Sequence, residues 1–424
     1  MAEAATKKAI EAVWRIESAR LIGGLVRLVR DVGLAEDLAQ EALVTALERW
    51  PGEGIPDNPG AWLMATAKHR AIDQLRRAQM QERKHGVLEH DAAMGGGVTT
   101  RDLEAELDEN VGDDLLRLVL VACHPVLSKE ARVALTLRLV GGLTTDEIAR
   151  AFLVPEPTIA QRIVRAKRTL AEAHVPFEVP RGEDLTARLP SVLEVVYLVF
   201  NEGYAATHGE AWMRVELCED ALRLGRILAA LVPDDAEVHG LVALMELQAS
   251  RARARVGPSG EPILLLEQDR SRWDQLLIRR GLAALARAES LAEPLGPYAL
   301  QAALAACHAR ARTADQTDWA RMVALYDALA ELTGSPVVEL NRAVAVGMAF
   351  GPAAGLELVD AIADDPALKA YHLLPSVRGD LLAKLGRHDE ARAEFERAAR
   401  MAGNAREREL LLARARACDP RQRS

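Results

Sequence analysis

The sequence predicts an all-α fold. Strand signals are scarce over its 424 residues, apolar residues recur at a period near 3.6 from end to end, and Ala, Leu, Arg and Glu dominate the composition. Half of the residues are hydrophobic and 27% are charged, so the chain has enough apolar surface to build real cores. At roughly 100–200 residues per domain the length points to several domains rather than one. A formal net charge of −9 argues against a protein that coats nucleic acid indiscriminately. It leaves local cationic faces free to bind DNA, because affinity follows the field at the contact. Aromatic residues make up only 4%, too few for a platform that stacks many unpaired bases.

The apolar run around Leu193–Phe200 is interrupted by Glu194 and falls far short of the roughly 20 residues that a membrane span needs. Met1–Lys8 has no apolar signal core, which predicts a cytoplasmic protein. Cys123, Cys218, Cys307 and Cys418 are too widely spaced for a zinc knuckle or a redox pair, and read as buried thiols. No metal-ligand pair, phosphate-binding glycine loop or nucleophile motif stands out, so neither a metal, a cofactor nor a catalytic residue is expected.

Three breaks divide the helices. Gly86–Gly112 holds Gly95-Gly96-Gly97 and a run of acids from Asp102 to Glu109, which reads as a flexible acidic linker. Val175–Pro190 is bracketed by prolines, and Gly257–Pro262 reads as a loop within the C-terminal half. The predicted organisation is a helical domain over 1–84, a linker over 85–112, a helix-turn-helix domain over 113–174, a linker over 175–189 and a helical repeat domain over 190–424.

In the first domain, Leu34, Leu38, Ala42, Ala46 and Trp50 fall on one helical stripe and Asp37, Glu41 and Glu48 on another. After a Pro/Gly-rich turn, a second helix carries Trp62, Leu63, Ala67, Ile72 and Leu75 as its apolar stripe. Lys68, Arg70, Arg76, Arg77, Arg83 and Lys84 lie on its other faces against only Asp73 and Glu82, a concentration suited to phosphate. Trp62 reads mainly as core.

In the second, a helix over Ser128–Val140 stops at Gly141-Gly142. Thr144 and Glu147 form a capping box for the next helix, and Pro157 suits the first turn of the one after. That last helix buries Ile159, Ile163, Ala166 and Leu170 and leaves Thr158, Gln161, Arg162 and Arg165 exposed, with Arg168 on the same basic run. Small and amide groups near base edges, with arginines reaching guanine or phosphate, are what a recognition helix needs.

The pair DLAQEALVTALERW and NPGAWLMATAKHRAIDQLRR resembles region 2 of the sigma-70-type RNA polymerase initiation factors, in the small extracytoplasmic-function group. GGLTTDEIARAFLVPEPTIAQRIVRAKRTL resembles region 4 of the same family. The resemblance implies that Asp37, Gln40 and Glu41 contact core RNA polymerase. It also implies that Lys68, His69, Arg70, Gln74, Arg76 and Arg77 meet the minus-ten promoter element, and that Thr144, Thr158, Gln161, Arg162, Arg165 and Arg168 read the minus-thirty-five element.

In the C-terminal half, Gly379, Leu382, Gly386, Ala391, Phe395 and Ala398 match the small and large positions of a tetratricopeptide-like repeat. Ala354, Leu358, Ala361 and Pro366 mark a degenerate earlier one. LPSVLEVVYLVFNEGY resembles the start of a C-terminal extension found in a subgroup of these factors, which implies an intramolecular contact with the sigma regions that modulates them. Asn201, Glu202, Tyr204 and His208 form a polar cluster that reads as a capped loop rather than an enzymatic site. The function expected is that of a promoter-directing sigma factor. The alternative is a helix-turn-helix regulator with a peptide-sensing repeat domain and no polymerase contact.

Overall fold

The computed structural model describes residues 2–85, 111–152, 154–180, 183–205, 213–258 and 260–419. Among them the chain is helical throughout, with no strand and a single isolated bridge between Val256 and Pro262 that closes the predicted loop. It divides into two compact units, Met1–Val196 and Tyr197–Ser424.

The N-terminal unit holds α1 (Ala2–Val29), α2 (Val32–Glu53), α3 (Pro59–His85), α4 (Val111–Ala122), α5 (Lys129–Leu139), α6 (Thr145–Phe152), α7 (Glu156–Glu172) and the first part of α8 (Glu183–Tyr204). The acidic stretch expected to be a linker lies outside the described residues. α1 packs on α2, α3 and α4, so one long apolar helix joins the two predicted domains into one body. A Cβ on Gly23 would lie 3.0 Å from the Asp114 carbonyl oxygen, which is why α1 and α4 pass so closely there. Arg27 Nε stands 3.6 Å from the same aspartate's carboxylate. α5, α6 and α7 pack on one another, and Cys123 lies beneath them with Sγ 3.2 Å from Thr136 Oγ1.

The linker expected over 175–189 is shorter than the proline pattern predicts. α8 starts at Glu183 and carries Pro190 inside it. A proline within a helix forfeits one backbone hydrogen bond. Here the next turn is held from outside, since Ser191 Oγ accepts from Arg132 and donates to the Cys123 carbonyl oxygen at 2.7 Å, while Lys129 pairs with Glu194 at 2.5 Å.

In the C-terminal unit, α9 (Val215–Leu231), α10 (Ala236–Ala249), α11 (Gln275–Leu291), α12 (Pro297–Arg310), α13 (Trp319–Thr333), α14 (Pro336–Phe350), α15 (Pro352–Ala361), α16 (Leu373–Lys384), α17 (His388–Met401) and α18 (Ala405–Ala417) follow, each packing on the next. α16 and α17 meet where the sequence predicts: Leu382, Ala391, Phe395 and Ala398 are buried, and a Cβ on Gly379 would lie 3.0 Å from the Phe395 ring. Gly386 makes the turn between them with φ of 76°. In the earlier pair the expected positions are peripheral to the contact, Leu358 packing against the core from its edge. Gly355, Leu356 and Val359 are buried, whereas Ala361 and Pro366 are exposed and Ala354 and Leu358 only half-buried. The packing stripe is offset because Gly355 lets α15 press on α14, with Gly347 Cα only 2.8 Å from where its Cβ would be.

The polar cluster at the end of α8 is drawn into this unit's packing. Glu202 pairs with Arg214, and Tyr204 stacks on Phe200 with ring centroids 5.6 Å apart and lies under the Arg255 guanidinium at 3.6 Å. Asn201 remains exposed, and His208 lies outside the described residues.

Candidate nucleic-acid interface

α2 begins at Asp31, whose Oδ1 accepts from the Leu34 amide at 2.7 Å. Its apolar stripe buries Leu38, Ala42, Ala46 and Trp50, which turns Asp37, Glu41 and Glu48 outward. Asn58 Oδ1 then accepts from the Ala61 amide at 3.1 Å and starts α3, which buries Leu63, Ala67 and Ala71. Ile72, Leu75 and Trp62 are half-buried rather than sealed, and the Trp62 ring meets Trp50 edge-on at 5.3 Å.

The opposite side of α3 exposes His69, Gln74, Arg76 and Arg77 and leaves Lys68 half-buried. Arg83 and Lys84 lie among residues whose side chains are not described. Arg70 is tied down. Its Nη1 donates to Glu41 Oε2 at 2.8 Å and its Nη2 to Thr45 Oγ1 at 2.8 Å. A residue expected on DNA and one expected on polymerase therefore hold each other. Both side chains are largely solvated, so the pair is worth about 0.2–1 kcal/mol and exchanges readily for another partner. Gln40 is half-buried and donates to Glu36 Oε1 at 3.1 Å. Asp37 is exposed and makes no hydrogen bond or ion pair among the described residues.

In the second module the capping box forms in both directions. Thr144 Oγ1 accepts from the Glu147 amide at 3.1 Å, and Glu147 Oε2 accepts from the Thr144 amide at 2.7 Å. α7 enters through Pro155 and Pro157 and buries Ile159, Ile163, Ala166 and Leu170. Thr144, Thr158, Gln161, Arg165 and Arg168 are exposed and Arg162 is half-buried. Arg168 pairs with Glu172 at 3.2 Å on the surface. Glu130, which faces this region, is held below the usual carboxylate range by backbone and Ser128 hydrogen bonds, with Arg162 adding a smaller pull.

Lys167 points the other way. It and Arg138 grip the two oxygens of Glu36, Arg138 Nε at 2.6 Å from Oε1 and Lys167 on Oε2. Glu36 is 4% exposed. Glu36 is not among the expected site residues; it stands three residues before the buried Ala39 and so on the inner side of α2. It joins the helix beside the predicted polymerase surface to the predicted recognition helix.

No group of three or more His, Cys, Asp or Glu side chains among the described residues is arranged to hold a metal ion. No described helix is long and apolar enough to cross a membrane.

Comparison with known proteins finds three family matches along the chain. Residues 16–80 match the family described as Sigma-70 region 2, residues 117–170 match Sigma-70, region 4, and residues 188–289 match a family of unknown function, DUF6596. An uncharacterized protein of Rhizobium meliloti is 43% identical over 387 residues, 91% of this chain and 90% of that protein. The ECF RNA polymerase sigma factor SigK of Mycobacterium ulcerans is 30% identical over 158 residues, covering 36% of this chain and 78% of SigK. The probable ECF RNA polymerase sigma factor SigI of Mycobacterium tuberculosis is 30% identical over 170 residues, 40% of this chain and 57% of SigI. The two family-model matches fall in order on the two helical modules, each of which sets a cationic helix face opposite a buried stripe. The chain belongs to the extracytoplasmic-function sigma factors of the sigma-70 family, and its C-terminal extension carries a DUF6596 domain.

Proposed function

We propose that Asp37, with Gln40 and Glu41 beside it, forms the docking surface for core RNA polymerase. Lys68, His69, Arg70, Gln74, Arg76 and Arg77 then meet the minus-ten element, and Thr144, Thr158, Gln161, Arg162, Arg165 and Arg168 read the minus-thirty-five element. The observation that carries this reading is the pairing of buried and exposed stripes on α3 and α7, which leaves cationic and amide side chains in solvent on both modules. The factor performs no catalysis of its own and works in the cytoplasm, where the template and core enzyme meet.

The C-terminal unit is read as a tetratricopeptide-like stack that modulates the sigma modules by contacting them. Its support is the close packing of α16 on α17 through Gly379 and Phe395. Removing residues after about 180 is expected to change promoter activity, and a run-off transcription profile identical to full length overturns this part.

The docking surface is tested by Asp37→Lys, because Asp37 has no side-chain partner among the described residues to lose, whereas reversing Glu41 also disturbs Arg70. The variant is expected to lose co-purification with core polymerase while keeping its helix content. Unchanged co-purification removes Asp37 from the surface. Run-off transcription with purified core on a genomic promoter library identifies the promoters served.

A further inference from the structure

The C-terminal unit contains a cavity of about 360 Å³ to which promoter recognition gives no role. Its size falls within the roughly 300–1,000 Å³ of small-molecule sites. Tyr197, Phe200 and Tyr326 are among its lining rings, and Leu304 and Met322 add apolar surface. Arg251, Gln248 and His308 supply polar groups, and no Asp or Glu among the described residues lines the cavity.

Arg251 is 8% exposed, yet among the described residues its guanidinium donates no hydrogen bond and forms no ion pair. Its Nε is shielded from solvent without a partner. Two neighbours show what a structural arginine looks like in this unit. Arg270 donates to the carbonyl oxygens of His308 at 2.8 Å and Ala311 at 2.9 Å, and to Thr317 Oγ1 at 3.0 Å. Arg255 donates to the Tyr204 carbonyl oxygen. Arg251 has only the ring faces of Tyr204 and Trp273, with centroids 5.7 and 5.9 Å away. Ring faces at that distance return little of what burying a cation costs.

Two other polar atoms of the cavity are unpartnered as well. Gln248 Oε1 and His308 Nδ1 are shielded and unpartnered. Burial, then the charges of Arg251 and Arg270, push the His308 imidazole down to about 3, so it offers hydrogen bonding and no charge. Of the three buried arginines in this cluster, Arg251 alone lines the cavity, and its guanidinium has no polar partner among the described residues, so an anion is the ligand it calls for. A carboxylate fits the planar guanidinium fork, and an apolar body on the same molecule fits the lining rings.

We propose that this cavity binds a small organic monocarboxylate, its carboxylate on Arg251 and its apolar body against Tyr197, Phe200 and Tyr326. Gln248 and His308 complete the polar end. The site stands on the cavity alone, so its failure leaves the promoter reading intact.

The test is isothermal calorimetry on the full-length protein with benzoate, phenylacetate and octanoate. Each acid is run against its primary amide, with inorganic phosphate as a further ligand. At least one acid is expected to bind saturably at millimolar levels or tighter, with its amide and phosphate at least about tenfold weaker. Arg251→Lys keeps the charge and loses the fork, so binding weakens. Arg251→Met abolishes it, and the ligand-free Arg251→Met protein melts no lower than wild type, because an unpaired buried charge has been removed. Absence of binding by every acid, equal binding of acid and amide, preference for phosphate, or full binding by Arg251→Met each overturns the proposal. So does a lowered melting temperature of ligand-free Arg251→Met, which makes Arg251 a structural residue.

Discussion

Glu36 shows how a charge comes to lie inside the N-terminal unit. Its carboxylate meets Arg138 at 2.6 Å and Lys167 as well, and the two cationic side chains are themselves 17% and 20% exposed. Removing one member of a fully buried pair costs about 3–5 kcal/mol. Partial solvation of both cations lowers that to roughly 1–3 kcal/mol here. Glu36→Gln keeps shape and hydrogen bonding but removes the charge, so the N-terminal unit is expected to melt several degrees lower, read by differential scanning calorimetry. An unchanged transition means that the pair is neutral to folding. The sequence could not have located this contact, because an acid argues for a surface position and Arg138 stands 102 residues away. Asp37 and Glu41, by contrast, were legible from the stripe that turns them outward. The cysteines were legible too, as widely spaced thiols within apolar stretches. All four are buried, and burial pushes the Cys123 thiol up to about 12, so it stays protonated at neutral and mildly alkaline pH. A thiol reagent at pH 8 is expected to find almost no reactive thiol in the native protein and all of them after unfolding. Rapid native labelling of any of them contradicts the burial.

At the scale of the element, local chemistry was readable wherever it set the outcome. Thr144 and Glu147 close a two-way cap, and the four positions read as the apolar stripe of α7 are the four that it buries. Two elements were misread, each for a tertiary reason. Pro190 ends a helix by its own preference, but hydrogen bonds and ion pairs from α5 and Cys123 hold the residues after it helical. The stripe of α15 was placed on Ala354, Leu358 and Ala361 by analogy with the later repeat. Its true centre is Gly355, and the choice depends on how near α14 comes, which periodicity alone does not contain. Gly355→Ala sets a methyl 2.7 Å from the Ala343 carbonyl oxygen and 2.8 Å from Gly347 Cα. Both obstacles are backbone, so the helices must separate, at a cost of about 1–3 kcal/mol. The variant is expected to unfold at lower urea concentration, with faster amide exchange confined to α14 and α15. Gly379→Ala is milder, because the Phe395 ring at 3.0 Å has room to turn.

At the scale of the molecule, the proposed promoter contacts predict that the N-terminal unit opens when it works. The minus-ten and minus-thirty-five elements are separated by about 25 base pairs, on the order of 85 Å of duplex at ~3.4 Å per pair. α3 has 27 residues and α7 has 17. At ~1.5 Å per residue they are about 40 and 25 Å long, each well short of that span. Glu36 meanwhile bonds the first module to Lys167 of α7, so under the proposed promoter assignment this contact is expected to open for the two helices to reach both elements. The ion pair is also the kind of contact that opens with few losses, since its cations exchange protein for water or phosphate. The buried cysteines make this measurable. Probes placed on Glu48→Cys and Ala173→Cys, both at exposed positions, are expected to move apart by energy transfer when core polymerase and promoter are added. Adding Glu36→Gln is expected to lengthen the distance before any partner arrives. A bias of roughly 1–2 kcal/mol toward the open form corresponds to about 5–30-fold, which then appears as tighter binding to core. A distance that stays fixed through formation of the promoter complex means that the modules act as one body. The assignment of α7 to the minus-thirty-five element then has to be abandoned, because no docked arrangement of these helices spans the duplex.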